Sequence, residues 1–154
     1  MTKITAVPLI NNRFVITIDE MPSTSFSSMS EISDETEIQE KREISKPFSI
    51  TKIPGATSTG SIVFTRGFTA KSSGLDKWRE EVRNLVLYST KLKKPIKRTI
   101  IIQILSVVGE IKKQIILKGA WPTKYVISGL DSLEPAIMLE TLEVEYTSKE
   151  IKSF

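Results

Sequence analysis

The chain has 154 residues, 40% hydrophobic and 26% charged, an ordinary balance for a globular protein that buries a core. It contains no cysteine and no histidine, which excludes disulfides, thiolate nucleophiles, the Ser-His-Asp triad and most zinc sites. No apolar run approaches the roughly 20 residues of a transmembrane helix, and the N-terminus lacks a signal peptide's apolar core. We predict one domain over residues 1–154, made and retained in a cytoplasm, with no enzymatic activity, no metal and no cofactor.

The net charge of +4 is distributed unevenly along the chain. The balance is −3 over residues 1–50, +8 over residues 51–100 and −1 over residues 101–154. Opposed patches of charge can steer a nucleic acid to the protein, or steer copies of the chain onto each other. The second possibility needs no outside partner.

Two strands are predicted in the first half of the chain. Residues 12–19 alternate in hydrophobicity, which places Phe14, Ile16 and Ile18 on one face of a strand. Residues 61–67 form a second strand that a glycine ends.

The segment between these strands is ambiguous. Residues 24–46 have sparse apolar residues, and 33–45 are charged at most positions. Local propensity allows a helix there, while a solvated strand pair that projects from the core fits as well. Residues 53–60 are predicted to be a loop, because Pro54 and Gly55 form a strong turn signal.

One helix is predicted after residue 72. Ser73 is its N-cap, and Asp76 reaches back as in a capping box. An apolar stripe with helical spacing follows, and we expect it to be buried against the sheets. The stripe comprises Leu75, Trp78, Val82, Leu85 and Val86.

Residues 91–98 form a basic segment. As a nucleic-acid site it is weak, because it has no interleaved aromatic residues and no repeat. We favour a solvated loop.

The second half of the chain is predicted to form strands joined by a turn. Residues 99–105 are β-branched on both faces, as in a central strand. After a turn at 107–109, residues 110–120 return as the hairpin partner. One face of that partner carries Ile111, Ile115 and Leu117.

A corner is predicted at Trp121 and Pro122. Proline has no N–H and restrains the residue before it, so the strand should stop pairing and continue as a loop through residue 129. Residues 136–146 form a last strand, with a bulge between Leu139 and Leu142 where the apolar phase shifts. Residues 147–154 are predicted to be a flexible tail.

Together these elements predict a mainly β fold. We expect a β-barrel or sandwich of about seven or eight strands, with one mid-chain α-helix and an extended charged hairpin.

Five short motifs occur in a particular order along the chain. They are Phe14–Ile18, Lys52–Gly55, Ile62–Gly67 with the Trp78 helix after it, Ala120–Tyr125 and Met138–Tyr146. This order resembles the tail tube protein family of contractile phages and phage-tail-like contractile injection systems. Glu31 departs from the family's usual glycine. A repeating tube subunit and a specialised ring at the tube's end both remain open.

The resemblance implies a structural role without chemistry. Members form β-barrel-like domains that close into hexameric rings, and the rings stack into a hollow tube. The implied partners are further copies of the chain, a sheath protein, baseplate or tube-initiator proteins, and a DNA or protein cargo in the lumen. No membrane anchoring is implied, and the product is a phage tail or a phage-tail-like particle.

The candidate site residues fall into two groups. Charged residues proposed to meet another subunit or ring are Asp34, Glu35, Glu37, Glu40, Lys41, Arg42, Glu43, Lys93, Lys94, Lys97 and Arg98. Proposed structural anchors are Trp78, Trp121, Pro122, Tyr125, Pro54, Gly55, Arg66 and Gly67. Acidic residues of one ring would meet the basic segment of the next.

Two other functions are weighed against this one. A nucleic-acid-binding β-barrel would use residues 91–98 and would bind with strong salt dependence. A carboxylate-based enzyme has no support from residue spacing.

Overall fold

The computed structural model describes residues 7–21, 25–87 and 96–154. Within these ranges the chain is mainly β with one mid-chain helix, which confirms the predicted fold class. The strands are β1 (Phe14–Ile18), β2 (Ser28–Met29), β3 (Asp34–Glu43), β4 (Lys46–Thr59), β5 (Ile62–Gly67), β6 (Arg98–Leu105), β7 (Ile111–Ile127), β8 (Leu139–Glu145) and β9 (Ser148–Ser153), and the helix α1 is Leu75–Leu87. In these described ranges no helix has the length and apolar character needed to span a membrane.

The strand β7 joins the antiparallel sheet together. The hydrogen-bonded order is β1-β6-β7-β8-β5-β2, and β9 also pairs with β7. The first half of β7 lies between β6 and β9, whereas its second half pairs with β8. The register runs on from β8 into β9 along one edge of β7, since Glu145 lies opposite Trp121 and Ser148 lies opposite Lys118.

A bulge at Gly119 marks the point where β7 changes partners. The register between β6 and β7 shifts here, and Gly119 has a left-handed backbone with φ of 68°. The Thr147 N–H donates to the Lys118 carbonyl at 2.9 Å, which holds the β8–β9 junction close to the bulge. A Cβ atom at Gly119 would lie 2.5 Å from the Thr147 hydroxyl oxygen. Glycine is therefore required by both conformation and space.

The core is built from alternate residues of several strands together with the first turns of α1. Burial alternates along β5, β6 and β8, as expected for strands with one face against a core. The largest completely buried side chains include Trp78, Phe64, Ile18, Ile62, Leu75, Ile100, Leu117, Leu142 and Val144.

The predicted helix is confirmed, but its apolar stripe is buried only in part. Ser73 accepts a hydrogen bond from the Leu75 N–H at 3.3 Å and so caps the first turn. Trp78 and Val82 are buried, whereas Leu85 is 41% exposed. The expectation that Leu85 belongs to the core is therefore wrong, because the packed part of the stripe ends before the last turn. The side chain of Val86 lies outside the described residues.

Neither of the two predicted proline breaks occurs. Pro54 and Gly55 lie inside β4, beside a register shift where β4 has one more residue than β3. β7 likewise runs through Pro122, next to a register shift before Lys124. The predicted loop at 53–60 and the predicted end of pairing at Trp121 are therefore wrong, because a bulge leaves a place in the ladder for a residue without an N–H.

The predicted bulge in the last strand is also wrong. β8 pairs with β5 without a shift from Leu139 to Val144. Glu140, Leu142 and Val144 all face inward, so the apparent change of phase arises because an acidic residue takes a core position. The residues predicted as a flexible tail form β9, which pairs with residues 113–118 of β7.

The packing at Gly119 predicts a specific loss of stability. Gly119→Ala should cost about 1–2 kcal/mol for the left-handed backbone, with a further loss from the contact with Thr147. Gly109→Ala is the control, because its φ is 87° and nothing lies within 4 Å of its Cβ position. Denaturant unfolding measures both. Thr147→Ala should recover part of the loss in the Gly119→Ala background, and equal losses at the two glycines would contradict close packing at the bulge.

Candidate assembly surface

The hairpin of β3 and β4 is a separate two-stranded sheet that stands away from the core. All 10 residues of β3 are exposed. At about 3.4 Å per residue these ten residues span roughly 34 Å. Of the two possibilities left open for this segment, the projecting strand pair is the one observed. An isolated hairpin of this kind is marginally stable in water, so its surface is suited to packing against a partner.

The base of the hairpin is tied to the β8–β9 junction. The Tyr146 hydroxyl donates to the Ser33 carbonyl at 3.4 Å, and the Thr59 hydroxyl donates to the Tyr146 carbonyl at 3.2 Å. Lys149 donates to the Asp34 carboxylate at 2.8 Å. This hydrogen bond raises the pKa of Lys149, which stays charged through the neutral range. These contacts fix the direction in which the hairpin leaves the core.

The far end of the hairpin presents apolar side chains to solvent. Ile44 and Phe48 at this end are completely exposed. Ile38, midway along β3, is 70% exposed. Large apolar side chains clustered at an exposed tip are typical of a protein interaction site. The sequence reasoning considered the charges of this segment and missed Phe48. The signal was present, because an exposed charged hairpin has no core in which to bury a phenylalanine.

The charges of the hairpin largely balance within it. Residues 34–59 carry five acids and four bases, a net charge of −1. The acidic strand lies beside a strand that carries lysines, with Glu40 opposite Lys52. Asp34 pairs with Lys149 of the same chain. The other predicted charged residues of β3 are all exposed, namely Glu35, Glu37, Glu40, Lys41, Arg42 and Glu43.

The basic segment is divided between different environments. Lys93 and Lys94 lie outside the described residues, and Lys97 is exposed. Arg98 is buried, with its guanidinium 5.2 Å from the centre of the Trp78 ring. It also forms ion pairs with Glu81 at 3.4 Å and Glu20 at 3.9 Å. Arg98 therefore contacts its own chain, and the charge available to another subunit or to a nucleic acid is smaller than the sequence indicates.

A comparison with protein-family profiles matches residues 10–150 to the T4-like virus tail tube protein gp19. The chain belongs to this tail tube protein family. The match covers the hairpin, the helix and nearly all of the sheet, which confirms the resemblance found from the motif order. A comparison of this tail tube protein with curated proteins found no match.

Solved structures with a similar fold come from contractile injection systems. A chain of the anti-feeding prophage (AFP) baseplate is 18% identical with a TM-score of 0.77, covering 97% of this chain and 98% of that chain. A chain of the AFP tube-terminating cap is 17% identical with a TM-score of 0.80, covering 100% and 97%. A chain of the extended PVC sheath-tube complex, from an extracellular contractile injection system, is 20% identical with a TM-score of 0.73, covering 96% and 93%. At these identities the likeness shows the fold.

A buried polar network supports the core of this tail tube protein. Arg66 of β5 lies opposite Glu140 of β8, and the two form an ion pair at 3.3 Å. The Tyr125 hydroxyl donates to the other Glu140 oxygen at 2.5 Å. Burial, followed by the hydrogen bond to Glu140, raises the pKa of Tyr125 well above its ordinary value. Arg66 and Tyr125 were predicted as anchors. The sequence analysis does not identify Glu140 as an anchor. Its spacing of two and four residues from Leu142 and Val144 places it on the same buried face of β8, and this was the available signal.

The remaining predicted anchors occupy varied environments. Trp78 is completely buried and donates its indole N–H to the Ile96 carbonyl at 2.8 Å. Pro122 is also completely buried, whereas Trp121 is half-buried. Gly67 ends β5 with open space around it, and Pro54 and Gly55 lie at the hairpin bulge described above.

The buried ion pair predicts a strong asymmetry between single and double substitutions. Glu140→Ala leaves the Arg66 charge buried without its partner, which should lower the free energy of unfolding by about 3–5 kcal/mol. Arg66→Met combined with Glu140→Leu should recover most of this loss, because the charge and its partner are removed together. Thermal and denaturant unfolding measure the effect. Glu143→Ala on the opposite face is the control, and an equally small loss at both glutamates would contradict the role given to Glu140.

Proposed function

We propose that the chain is the subunit of the inner tube of a contractile tail or contractile injection system. Hexameric rings of this subunit stack into a hollow tube through which DNA or a protein cargo passes. The observation that carries the proposal is the β3–β4 hairpin, which leaves the core at a fixed angle and exposes Ile44 and Phe48 at its end. A lone subunit gains nothing from such an element, whereas a repeated subunit can place it against its neighbour.

The sheet supplies a second reason for self-association. Within the described part of the chain, β6 is the only strand that pairs with β1. Apart from an isolated bridge between Ile18 and Met21, the other edge of β1 is open. Open edges favour the addition of another strand, and a head-to-tail contact that closes on itself makes a ring. Family membership supports the tube, and the hexameric ring follows from the family resemblance.

Charge is proposed to set the register between stacked rings. The exposed acids of β3 would meet Lys93, Lys94 and Lys97 of the neighbouring ring. Because the hairpin is nearly neutral as a whole, these pairs would act on orientation more than on the total attraction. The apolar tip would supply the larger part of the contact energy.

The mechanism of the assembled tube is mechanical. Many modest contacts repeat along the tube and add up, so no single interface has to be strong. A sheath protein would surround the tube and drive it through a target envelope, and baseplate or initiator proteins would start its assembly. The subunit itself performs no chemistry in this proposal and needs no membrane anchor. Synthesis in a cytoplasm, followed by assembly into a phage-tail-like particle, fits this role.

Negative-stain electron microscopy of the purified protein tests the proposal. The expected result is rings or hollow tubes of uniform bore, with tubes favoured at high protein concentration. Light scattering over a series of concentrations and salts provides an independent measure of assembly. A small dispersed particle under every condition would overturn the proposed function.

Charge reversal tests the register of stacking. Lys93→Glu, Lys94→Glu and Lys97→Glu together should block stacking and leave single rings with an unchanged circular dichroism spectrum. The control is the same change at three exposed lysines elsewhere, Lys71, Lys77 and Lys152. Normal tubes from the first variant would show that the proposed charge pairing is wrong.

A further inference from the structure

An apolar groove lies where β2 approaches the strands β1 and β6. Its volume is about 530 Å³. The apolar side chains that line it include Leu9, Ile10, Phe14, Met29, Ile102 and Ile104. Leu9 and Ile10 are themselves largely exposed, so the groove opens to solvent along one side. A groove of this size and character can hold several aliphatic side chains of a partner.

A second apolar surface is formed by the segment between β7 and β8. Leu130, Leu133 and Ile137 are 82%, 88% and 83% exposed. The segment has a defined shape, because the Asp131 carboxylate accepts the Leu133 N–H at 2.9 Å and the Ser128 hydroxyl accepts the Leu139 N–H at 2.9 Å. We name residues 130–137 the aliphatic loop. Three nearly bare aliphatic side chains on a shaped loop need a partner surface that removes them from water.

Charge makes the loop and the groove complementary. The aliphatic loop carries Asp131 and Glu134 and contains no basic residue. The groove is lined by Arg13, whose guanidinium donates to the Val107 carbonyl at 2.7 Å in the β6–β7 turn. Lys113 lies close by, because it is opposite Ile104 of the groove in the sheet register. An acidic apolar loop and a basic apolar groove on the same chain are therefore complementary in charge and in apolar character.

The two surfaces are separate on one subunit. Leu130, Leu133 and Ile137 are exposed, and none of them lines the groove. A contact between two different surfaces of identical subunits is head-to-tail, and such contacts build rings or stacks.

We propose that the aliphatic loop of one subunit docks in the apolar groove of the next copy of the chain. Leu133 enters the groove, and Asp131 and Glu134 lie towards Arg13 and Lys113. The inference rests on the proposed tube function and names one of its subunit interfaces. The hairpin tip is a poorer occupant of this groove, because Glu43 and Lys46 at the tip are opposite in charge and offer nothing specific to a basic rim.

Cysteine cross-linking tests the docking directly. The natural chain contains no cysteine, so introduced thiols have no background. Ser28→Cys places a thiol on the exposed lip of the groove, and Leu133→Cys places one on the loop. In assembled protein, the double variant should form covalent multimers on mild oxidation, visible as a ladder on a denaturing gel. On the same gel, each single variant should give only the monomer band. A mixture of the two single variants should give a covalent dimer.

The matched control replaces the loop thiol by one at the hairpin tip. Ser28→Cys combined with Phe48→Cys should give no ladder. A ladder from this control, with none from Ser28→Cys and Leu133→Cys, would assign the groove to the hairpin and overturn the proposal. Tubes without cross-links in either pair would overturn it as well and leave the tube function standing. If the unmodified protein forms neither rings nor tubes, the tube function fails and the docking proposal fails with it.

A second variant tests the docking of the aliphatic loop without relying on oxidation. Leu133→Asp should raise the protein concentration needed for assembly by about tenfold or more. The variant loses the free energy of burying a leucine side chain in the groove, and it places a charge there instead. Leu85→Asp, on the partly exposed last turn of α1, is the control and should change this concentration little. An unchanged assembly concentration for Leu133→Asp would contradict the docking.

Discussion

The structure depends on one long strand that serves both halves of the sheet. β7 pairs with β6 and β9 in its first half and with β8 in its second. This exchange of partners is possible because Gly119 adopts a left-handed backbone and leaves room for Thr147. The helix α1 packs on the same strand, and the β8–β9 junction opposite the bulge holds the base of the hairpin. The corner therefore positions both the helix and the base of the hairpin relative to the sheet.

The hairpin obeys different constraints from the rest of the chain. Its residues contribute nothing to the core, so no burial pattern distinguishes strand from helix in its sequence. Its conformation is held by pairing along its length and by the ties at Ser33, Thr59 and Lys149. A surface element that is stiff at its base and apolar at its end is well suited to repeated contact between identical subunits, where each contact is modest and the number of contacts is large.

Sequence periodicity predicts those elements that have one buried face, and it is weaker elsewhere. β1, β5, β6 and α1 are recovered with nearly correct limits, since each alternates or repeats against the core. The bulges that accommodate Pro54 and Pro122 depend on partner strands distant in sequence. The local sequence therefore wrongly predicts that strand pairing ends at these prolines. β9 has mostly exposed side chains, and its pairing with β7 is set by register alone. The aliphatic loop and Phe48 carry apolar residues that find no place in the core of the subunit. For Phe48 the surrounding charged segment is a sequence signal, whereas the exposure of the aliphatic loop is seen only in the folded chain.

The buried ion pair connects the core to the proposed assembly. Glu140 sits inward, opposite Arg66, at the end of β8 that receives the aliphatic loop. A slip of β8 by one residue would turn Glu140 outward and leave Arg66 buried without its partner, at a cost of several kcal/mol (about 3–5). The ion pair thus adds to the buried Leu142 and Val144 in favouring the observed register of β8. The same register sets the place from which Leu133 projects in the proposed docking.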